Sequence, residues 1–93
     1  MKYMMRGWAG AGLRKGASMT RAYILIETSV GKTRDVVSVL KGIEGTKTVD
    51  PVTGPYDIIV TVEGKDLNSI GELVTGKVHP IAGVTRTVTC LAI

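Results

Sequence analysis

A tight turn that leads directly into an apolar strand is the feature that most limits how this chain folds. Residues 53–62 read Thr-Gly-Pro-Tyr-Asp-Ile-Ile-Val-Thr-Val. Gly54 supplies the backbone freedom that a tight turn needs, and the β-branched run after it has a high strand propensity. Asp57 lies near the start of this strand, where a carboxylate requires a cation or a hydrogen-bond donor beside it. The segment therefore predicts a hairpin and a candidate site at Asp57.

Strand and helix patterns alternate on both sides of this turn. Segments rich in β-branched residues are predicted strands, and segments with apolar residues three and four positions apart are predicted amphipathic helices. Asp66 is a predicted N-cap, and Pro80 limits the helix that follows, because the residue before a proline disfavours the helical region. The predicted elements are, in order, strand 22–28, helix 32–43, edge strand 46–50, strand 56–63, a helix that begins after Asp66, and strand 84–93.

The order βαββαβ predicts an α+β fold of the ferredoxin-like type. Two βαβ halves with right-handed crossovers form a four-stranded antiparallel sheet, and two helices cover one face of it. The other face carries apolar side chains from three strands: Tyr23 or Ile24, Ile58 or Ile59, and Val88 or Thr89. Because such a face needs a partner, we predict that two subunits pack sheet against sheet, as in a dimeric α+β barrel.

The net charge of +4 resides entirely in the first 18 residues. They contribute four basic residues and no acid, whereas residues 19–93 contain eight basic and eight acidic residues. A neutral domain argues against a surface that follows the phosphates of nucleic acid, so we expect no direct nucleic-acid contact. A chain of 93 residues, 44% of them hydrophobic, forms one small core, to which oligomerisation would add.

Residues 1–18 are predicted to be a flexible, basic, glycine-rich extension of a folded domain at 19–93. They contain four glycines and no apolar run long enough for a signal peptide or a membrane span. Because Met19 directly precedes the first strand, we interpret the extension as an upstream-start artefact or an appended sequence. A basic arm that contacts nucleic acid or a partner, and an ordered part of the core, are the alternatives. The single cysteine, Cys90, excludes an intrachain disulfide, so we expect a cytoplasmic protein.

The βαββαβ order, the Thr-Gly-Pro-Tyr-Asp turn at 53–57 and the Gly-Val-Thr-Arg-Thr-Val-Thr ending at 83–89 together resemble a known domain. This is the effector-binding domain of the Lrp/AsnC family of transcriptional regulators, also called the regulation of amino-acid metabolism (RAM) domain. The 18 preceding residues are too few for the family's N-terminal helix-turn-helix. We therefore expect a stand-alone form without a DNA-binding domain.

The resemblance implies an amino-acid sensor. In the family, paired sheets form dimers, dimers form octameric or decameric rings, and a free amino acid binds near the interface between dimers. The resemblance places Gly54, Tyr56 and Asp57 at the ligand pocket, with Asp57 as the partner of the α-ammonium group. Thr87 and Thr89 match the threonine-rich last strand, whose hydroxyls or backbone would meet the α-carboxylate. No cofactor, metal ion or catalytic residue is implied.

Pro55 departs from the family pattern, in which a polar residue more often follows this glycine. Proline removes a backbone N–H that a ligand would otherwise use. The departure predicts an altered affinity or effector choice, or a vacant site.

Each predicted site residue also has a structural role open to it. Asp57 would cap the hairpin or pair with Arg86 across the strands. Tyr56 would belong to the core or to an interface, and Gly54 would serve the turn alone. The threonines at 85, 87 and 89 would be ordinary strand formers, on the face opposite Val84, Arg86, Val88 and Cys90.

Two further motifs carry no function. The Gly-Lys-Thr at 31–33 lacks the glycine that a phosphate-binding loop needs five positions earlier, which is Ile26. His79 is the one histidine of the chain, and no histidine or cysteine cluster accompanies it to form a zinc site.

Three functions follow from these observations. The first is a non-catalytic amino-acid sensor that acts in transcriptional regulation, for example by joining full-length Lrp/AsnC proteins. The second is a small dimeric α+β barrel enzyme, such as a cofactor-independent monooxygenase, because that superfamily shares the fold. Few candidate general bases and the absence of phenylalanine argue against the enzyme. The third is an oligomerisation domain without a ligand.

Overall fold

The computed structural model describes residues 19–93, so the predicted extension at 1–18 lies outside the described residues. The predicted order of elements is confirmed: β1 (Thr20–Thr28), α1 (Thr33–Lys41), β2 (Thr46–Pro51), β3 (Ile58–Gly64), α2 (Leu67–Leu73) and β4 (Val84–Leu91). A π-helical segment of five residues (Val74–Val78) continues α2. The fold is α+β and ferredoxin-like, as predicted.

The four strands form one antiparallel sheet in the order β2-β3-β1-β4. β1 and β3 lie in the centre, and Ile24 of β1 is opposite Val60 of β3 on one side and Thr89 of β4 on the other. β2 is an edge strand, and Pro51 ends it. This confirms the predicted edge position, where a missing backbone N–H is tolerated.

One hydrophobic core fills the space between the sheet and the helices. Alternate residues of β1 and β3 face this core, because side chains two positions apart in a strand share a face. α1 faces it with Val36 and Leu40, which are one helical turn apart. The buried apolar residues are Ala22, Ile24, Ile26, Val36, Leu40, Ile58, Val60, Val62, Ile70, Val74, Val78 and Ile81.

The second helix begins and ends where the sequence predicts. Asp66 is its N-cap, and the Asp66 Oδ1 accepts a hydrogen bond of 2.9 Å from the Ser69 backbone N–H. That bond holds the pKa of Asp66 below its usual value, because it favours the charged carboxylate. In the π-helical segment, the His79 N–H donates to the Val74 carbonyl at 2.9 Å. The helical path therefore continues to the residue before Pro80.

The prediction for Val84 is wrong because β4 contains a bulge. Val84 is opposite Thr28, whereas Arg86 is opposite the preceding residue of β1, Glu27. Thr85 is therefore the extra residue, and strict alternation fails at the start of the strand. Val84 packs against the buried core, on the face opposite Arg86.

The sheet face turned away from the helices, which we call the open face, lacks a covering layer within residues 19–93. The Arg21 guanidinium and the Glu63 carboxylate form an ion pair of 2.9 Å at one end of it. The hydrogen bond to Glu63 raises the pKa of Arg21. The apolar side chains of this face, in alternation with the core residues, are Tyr23, Leu25, Ile59 and Val88. Tyr23 is 37% exposed, so this face presents apolar area to solvent in the single chain.

Candidate functional site

The predicted turn forms a loop between β2 and β3, at one end of the sheet. The Val52 N–H donates to the Asp57 carbonyl at 2.9 Å, which closes the loop. The Asp57 N–H donates to the Ile26 carbonyl at 2.9 Å, which attaches the loop to β1. Gly54 is exposed and has a φ of +147°, which residues with a side chain rarely adopt. The geometry of the turn therefore requires Gly54.

Asp57 connects this loop to two other elements. It precedes β3 by one residue, so β3 begins two residues later than predicted. The Asp57 Oδ2 accepts hydrogen bonds from the Thr28 N–H at 2.8 Å and from the Thr28 hydroxyl at 3.2 Å. The Thr28 hydroxyl also lies 2.7 Å from the Thr33 hydroxyl at the start of α1. The carboxylate thus joins the loop to the end of β1 and the beginning of α1.

The second carboxylate oxygen of Asp57 has a different environment. Asp57 Oδ1 accepts no hydrogen bond from residues 19–93. The Asp57 side chain as a whole is half-buried. One oxygen of Asp57 therefore has a structural role, and the other has no hydrogen-bond partner within residues 19–93.

Tyr56 contacts Arg86, which lies two strands away. The Arg86 guanidinium carbon is 5.9 Å from the centroid of the Tyr56 ring, within the range of a cation–π interaction. The expected ion pair between Arg86 and Asp57 does not form; the ion pairs within residues 19–93 are those of Glu63 with Arg21 and Lys47. Arg86 therefore stands beside the loop without an acidic partner from the described residues.

Thr87 and Thr89 lie on the helix side of β4. Thr87 is opposite Ile26 and Thr89 is opposite Ile24, and both isoleucines are buried in the core. The Thr87 hydroxyl is 2.9 Å from the His79 Nε2. The two threonines thus share the face opposite Arg86, as predicted.

The backbone N–H and C=O groups of both threonines point away from β1. The Ala92 N–H donates to the Arg21 carbonyl at 2.9 Å, so every second residue before Ala92 is also bonded to β1. The N–H and C=O groups of Thr87 and Thr89 fall between these positions. They lie at the free edge of β4, where a ligand or another strand can reach them.

A depression of about 320 Å³ follows the start of β4. Its lining residues are His79, Val84, Thr85, Arg86 and Thr87.

The structure groups the predicted residues in two sets. Gly54, Tyr56 and Asp57 lie in one loop with Arg86 beside them, whereas Thr87 pairs with His79. The sequence did not indicate Thr28 or His79 as neighbours of the site, because both contacts depend on how distant strands pair.

Residues 19–93 hold no cluster of three or more histidine, cysteine, aspartate or glutamate side chains that would bind a metal ion. Cys90 is a free, exposed thiol on β4. None of the helices in this part of the chain has the length and hydrophobicity that crossing a bilayer requires.

A family model for the Lrp/AsnC ligand binding domain matches residues 21–93. The chain belongs to this family. The match runs from β1 through the last residue and includes the loop with Asp57, so the resemblance seen in the sequence is confirmed. Membership makes this Lrp/AsnC domain an effector-binding module of regulatory type.

Solved structures with the same fold support this assignment. FFRP-DM1 is 34% identical with a TM-score of 0.76, over 80% of this chain and 99% of that chain. A hypothetical protein of Pyrococcus horikoshii is 34% identical with a TM-score of 0.75, over 80% of this chain and 89% of that one. Escherichia coli AsnC, at 17% identity, shares the fold with a TM-score of 0.77, over 90% of this chain and 60% of that one.

One curated relative is an enzyme. A homocitrate synthase of Sulfurisphaera tokodaii is 37% identical over 54 residues, which are 58% of this chain. The chain spans only 12% of the length of that enzyme.

Proposed function

We propose that this Lrp/AsnC domain is an amino-acid sensor that acts in transcriptional regulation. Asp57 is the observation that carries the proposal. Its Oδ2 is held by Thr28, and its Oδ1 has no hydrogen-bond partner within residues 19–93. A carboxylate fixed in this way is a preformed partner for an ammonium group. A transcriptional regulator of Neisseria meningitidis with the same fold was solved as a complex with L-Met, which supports an amino acid as the effector class.

We propose that the domain works as an oligomer in the cytoplasm. The apolar side chains of the open face favour a homodimer formed sheet against sheet, and such dimers would assemble into an octamer or a decamer. A two-fold interface is self-complementary, so a full-length Lrp/AsnC protein with a matching face could replace one subunit. Eight basic and eight acidic residues at 19–93 favour regulation through such protein contacts rather than through direct binding of nucleic acid.

Thermal denaturation with each of the twenty amino acids at millimolar concentration tests the sensor. A ligand at 100 times its Kd stabilises the folded state by about 2.7 kcal/mol per site, which corresponds to a shift of several degrees in Tm. We expect one or a few amino acids to raise Tm. Asp57→Asn should abolish this effect, because the amide keeps an acceptor for Thr28 but removes the negative charge. Asp50→Asn, at an exposed position of β2, is the matched control and should respond like the wild type.

A flat response across all twenty amino acids would contradict the sensor and favour an oligomerisation domain. A loss of response in both aspartate variants would mean that the effect of Asp57→Asn reflects net charge rather than a specific contact.

A second candidate function is control of an enzyme rather than of transcription. The match to 54 residues of a homocitrate synthase favours it, because it places a related segment in an enzyme. The two functions differ in the partner that co-assembles with the domain. The domain would be mixed with a full-length Lrp/AsnC protein or with such an enzyme, each from the same organism, and the mass of the resulting complexes would be measured. The partner that co-assembles with the domain would distinguish the two functions.

A further inference from the structure

Two opposite charges on the open face are neighbours in the strand register and do not form an ion pair. Glu27 of β1 is directly opposite Arg86 of β4. Alternation from Leu25 and Val88 places both side chains on the open face. The ion pairs within residues 19–93 all involve Glu63, at the other end of this face. Glu27 and Arg86 therefore each lack an ion-pair partner in the described part of the chain.

Tyr56 holds the Arg86 guanidinium without neutralising it. The guanidinium carbon is 5.9 Å from the centroid of the Tyr56 ring. An aromatic ring attracts the cation, but it neither carries a negative charge nor accepts the N–H hydrogen bonds that a carboxylate would accept. Arg86 is exposed in the single chain. It therefore presents unsatisfied donors at the surface through which the proposed homodimer forms.

The apolar residues of the open face indicate how two copies of it would align. Leu25 is opposite Ile59 of β3 on one side and Val88 of β4 on the other, so these side chains form a row across the sheet. In a sheet-to-sheet dimer the two-fold axis lies between the sheets. An axis that follows β1 sets Ile59 on Val88 of the partner subunit. The same axis keeps equal levels of the two sheets together, so it brings Glu27 near Arg86 of the partner subunit.

A two-fold axis that crosses the strands at Leu25 would give a different match. It would set Glu27 against Tyr23 of the partner subunit and Arg86 against Cys90 of the partner subunit. Each charge would then be buried against a side chain that does not neutralise it, which is costly. The charges of the open face therefore favour the axis along β1.

We propose that Glu27 of each subunit pairs with Arg86 of the partner subunit across the homodimer interface. The inference rests on the proposed homodimer and deepens it, because it names the contacts that decide the orientation in which the open face accepts a second copy. A two-fold interface contains each contact twice, so the dimer would have two such pairs. Sheets packed face to face lie about 10 Å apart, a gap that an arginine and a glutamate side chain bridge together. Complementary charges of this kind fix the alignment of an interface and exclude unsuited partners.

Exchange of charges between subunits tests the inference. The two variants of the full chain are Glu27→Arg and Arg86→Glu, whose own homodimers would set like charges against each other. Each variant alone should dimerise about 100-fold more weakly than the wild type, as measured by light scattering over a range of concentrations. An equimolar mixture should form heterodimers with nearly wild-type affinity, because opposite charges then meet at both contacts. Native mass spectrometry would identify the heterodimer by its mass.

Charge reversals on the helix layer are matched controls. Arg34 of α1 and Glu72 of α2 are exposed on the side of the molecule away from the open face. Arg34→Glu and Glu72→Arg should dimerise like the wild type, both alone and mixed. Glu27→Gln and Arg86→Gln remove the charges without adding repulsion, so they keep the inference testable if a reversal does not fold. Their combination in one chain should dimerise no more weakly than either single variant, because both remove the same contact.

The outcomes separate this inference from the homodimer on which it rests. If the reversals dimerise like the wild type, or if mixing them restores nothing, the ion pairs do not form and the open-face homodimer stands. If the wild type stays monomeric, or if Ile59→Glu leaves its dimer intact, the open-face homodimer and this inference are both wrong. The response of Tm to amino acids is measured separately, so the sensor function is judged by that response alone.

Discussion

Thr28 holds the Asp57 carboxylate from a position 29 residues earlier in the chain. The sequence predicts that Asp57 needs a donor, because a carboxylate beside an apolar strand is costly without one. It does not identify Thr28 as that donor, since the contact depends on the register between β1 and β3, which one segment alone does not determine. The contact between Tyr56 and Arg86 has the same origin, because it crosses the end of β1.

We predict that Thr28→Val lowers the free energy of unfolding by about 0.5–1.5 kcal/mol, the net value of a hydrogen bond. Valine keeps the shape and the strand propensity of threonine and removes the hydroxyl that contacts both Asp57 and Thr33. Urea denaturation would measure the change. Thr89→Val, at an exposed position whose hydroxyl has no hydrogen-bond partner within residues 19–93, should change stability by less than about 0.5 kcal/mol. Equal effects of the two variants would contradict a specific role for the Thr28 hydroxyl.

At the scale of elements, local sequence patterns predict which helices and strands form and in what order. They do not predict every element boundary, or the side of the sheet on which every residue lies. Helix periodicity, the Asp66 cap and the proline limits are properties of short segments, and each of these predictions is confirmed. The side of the sheet on which Val84 lies is not a property of one segment, since it depends on a bulge that exists only when β4 pairs with β1. The start of β3 differs from the prediction for a related reason. The backbone of Asp57 bonds to the loop and to β1, and these bonds keep Asp57 outside the strand.

Gly83, in the turn before β4, is predicted to be the glycine least able to accept a side chain. Its φ is +100°, and an added Cβ would lie 2.9 Å from the Lys32 Cβ and 3.1 Å from the Val36 Cγ2. Gly83→Ala should lower stability by about 1–3 kcal/mol, because both the backbone conformation and the close contact with α1 are unfavourable. Thermal or urea denaturation would measure the loss.

Gly71 is the matched control for Gly83. It lies on the exposed side of α2, and an added Cβ there would meet nothing within 4 Å. Gly71→Ala should raise stability by about 0.5–1 kcal/mol, since alanine is the better helix former. Similar changes in both variants would show that the approach of β4 to α1 is looser than the structure indicates.

For the whole molecule, the two faces of the sheet have different surroundings. One face is buried under α1, α2 and the π-helical segment, and the other presents Tyr23, Leu25, Ile59 and Val88. Because only one sheet face is covered within residues 19–93, this part of the chain buries little apolar area by itself. Association of two copies through the open face would therefore contribute to folding stability.

We predict that Ile59→Glu converts the protein to a monomer, because a carboxylate in the centre of the open face would be buried without a partner in a dimer. Light scattering coupled to size-exclusion chromatography would measure the mass. Val39→Glu is the control: Val39 is 50% exposed on α1, on the other side of the molecule, and the substitution should leave the mass unchanged. A wild-type mass retained by Ile59→Glu would place the subunit contact elsewhere.

The hydrogen bond between the Ala92 N–H and the Arg21 carbonyl brings the beginning and the end of the described domain side by side. Insertion of a domain into a host protein, like circular permutation, is easiest when the two ends are close together. A gene segment for residues 21–92 could thus enter a surface loop of a host and fold there with its sheet unchanged.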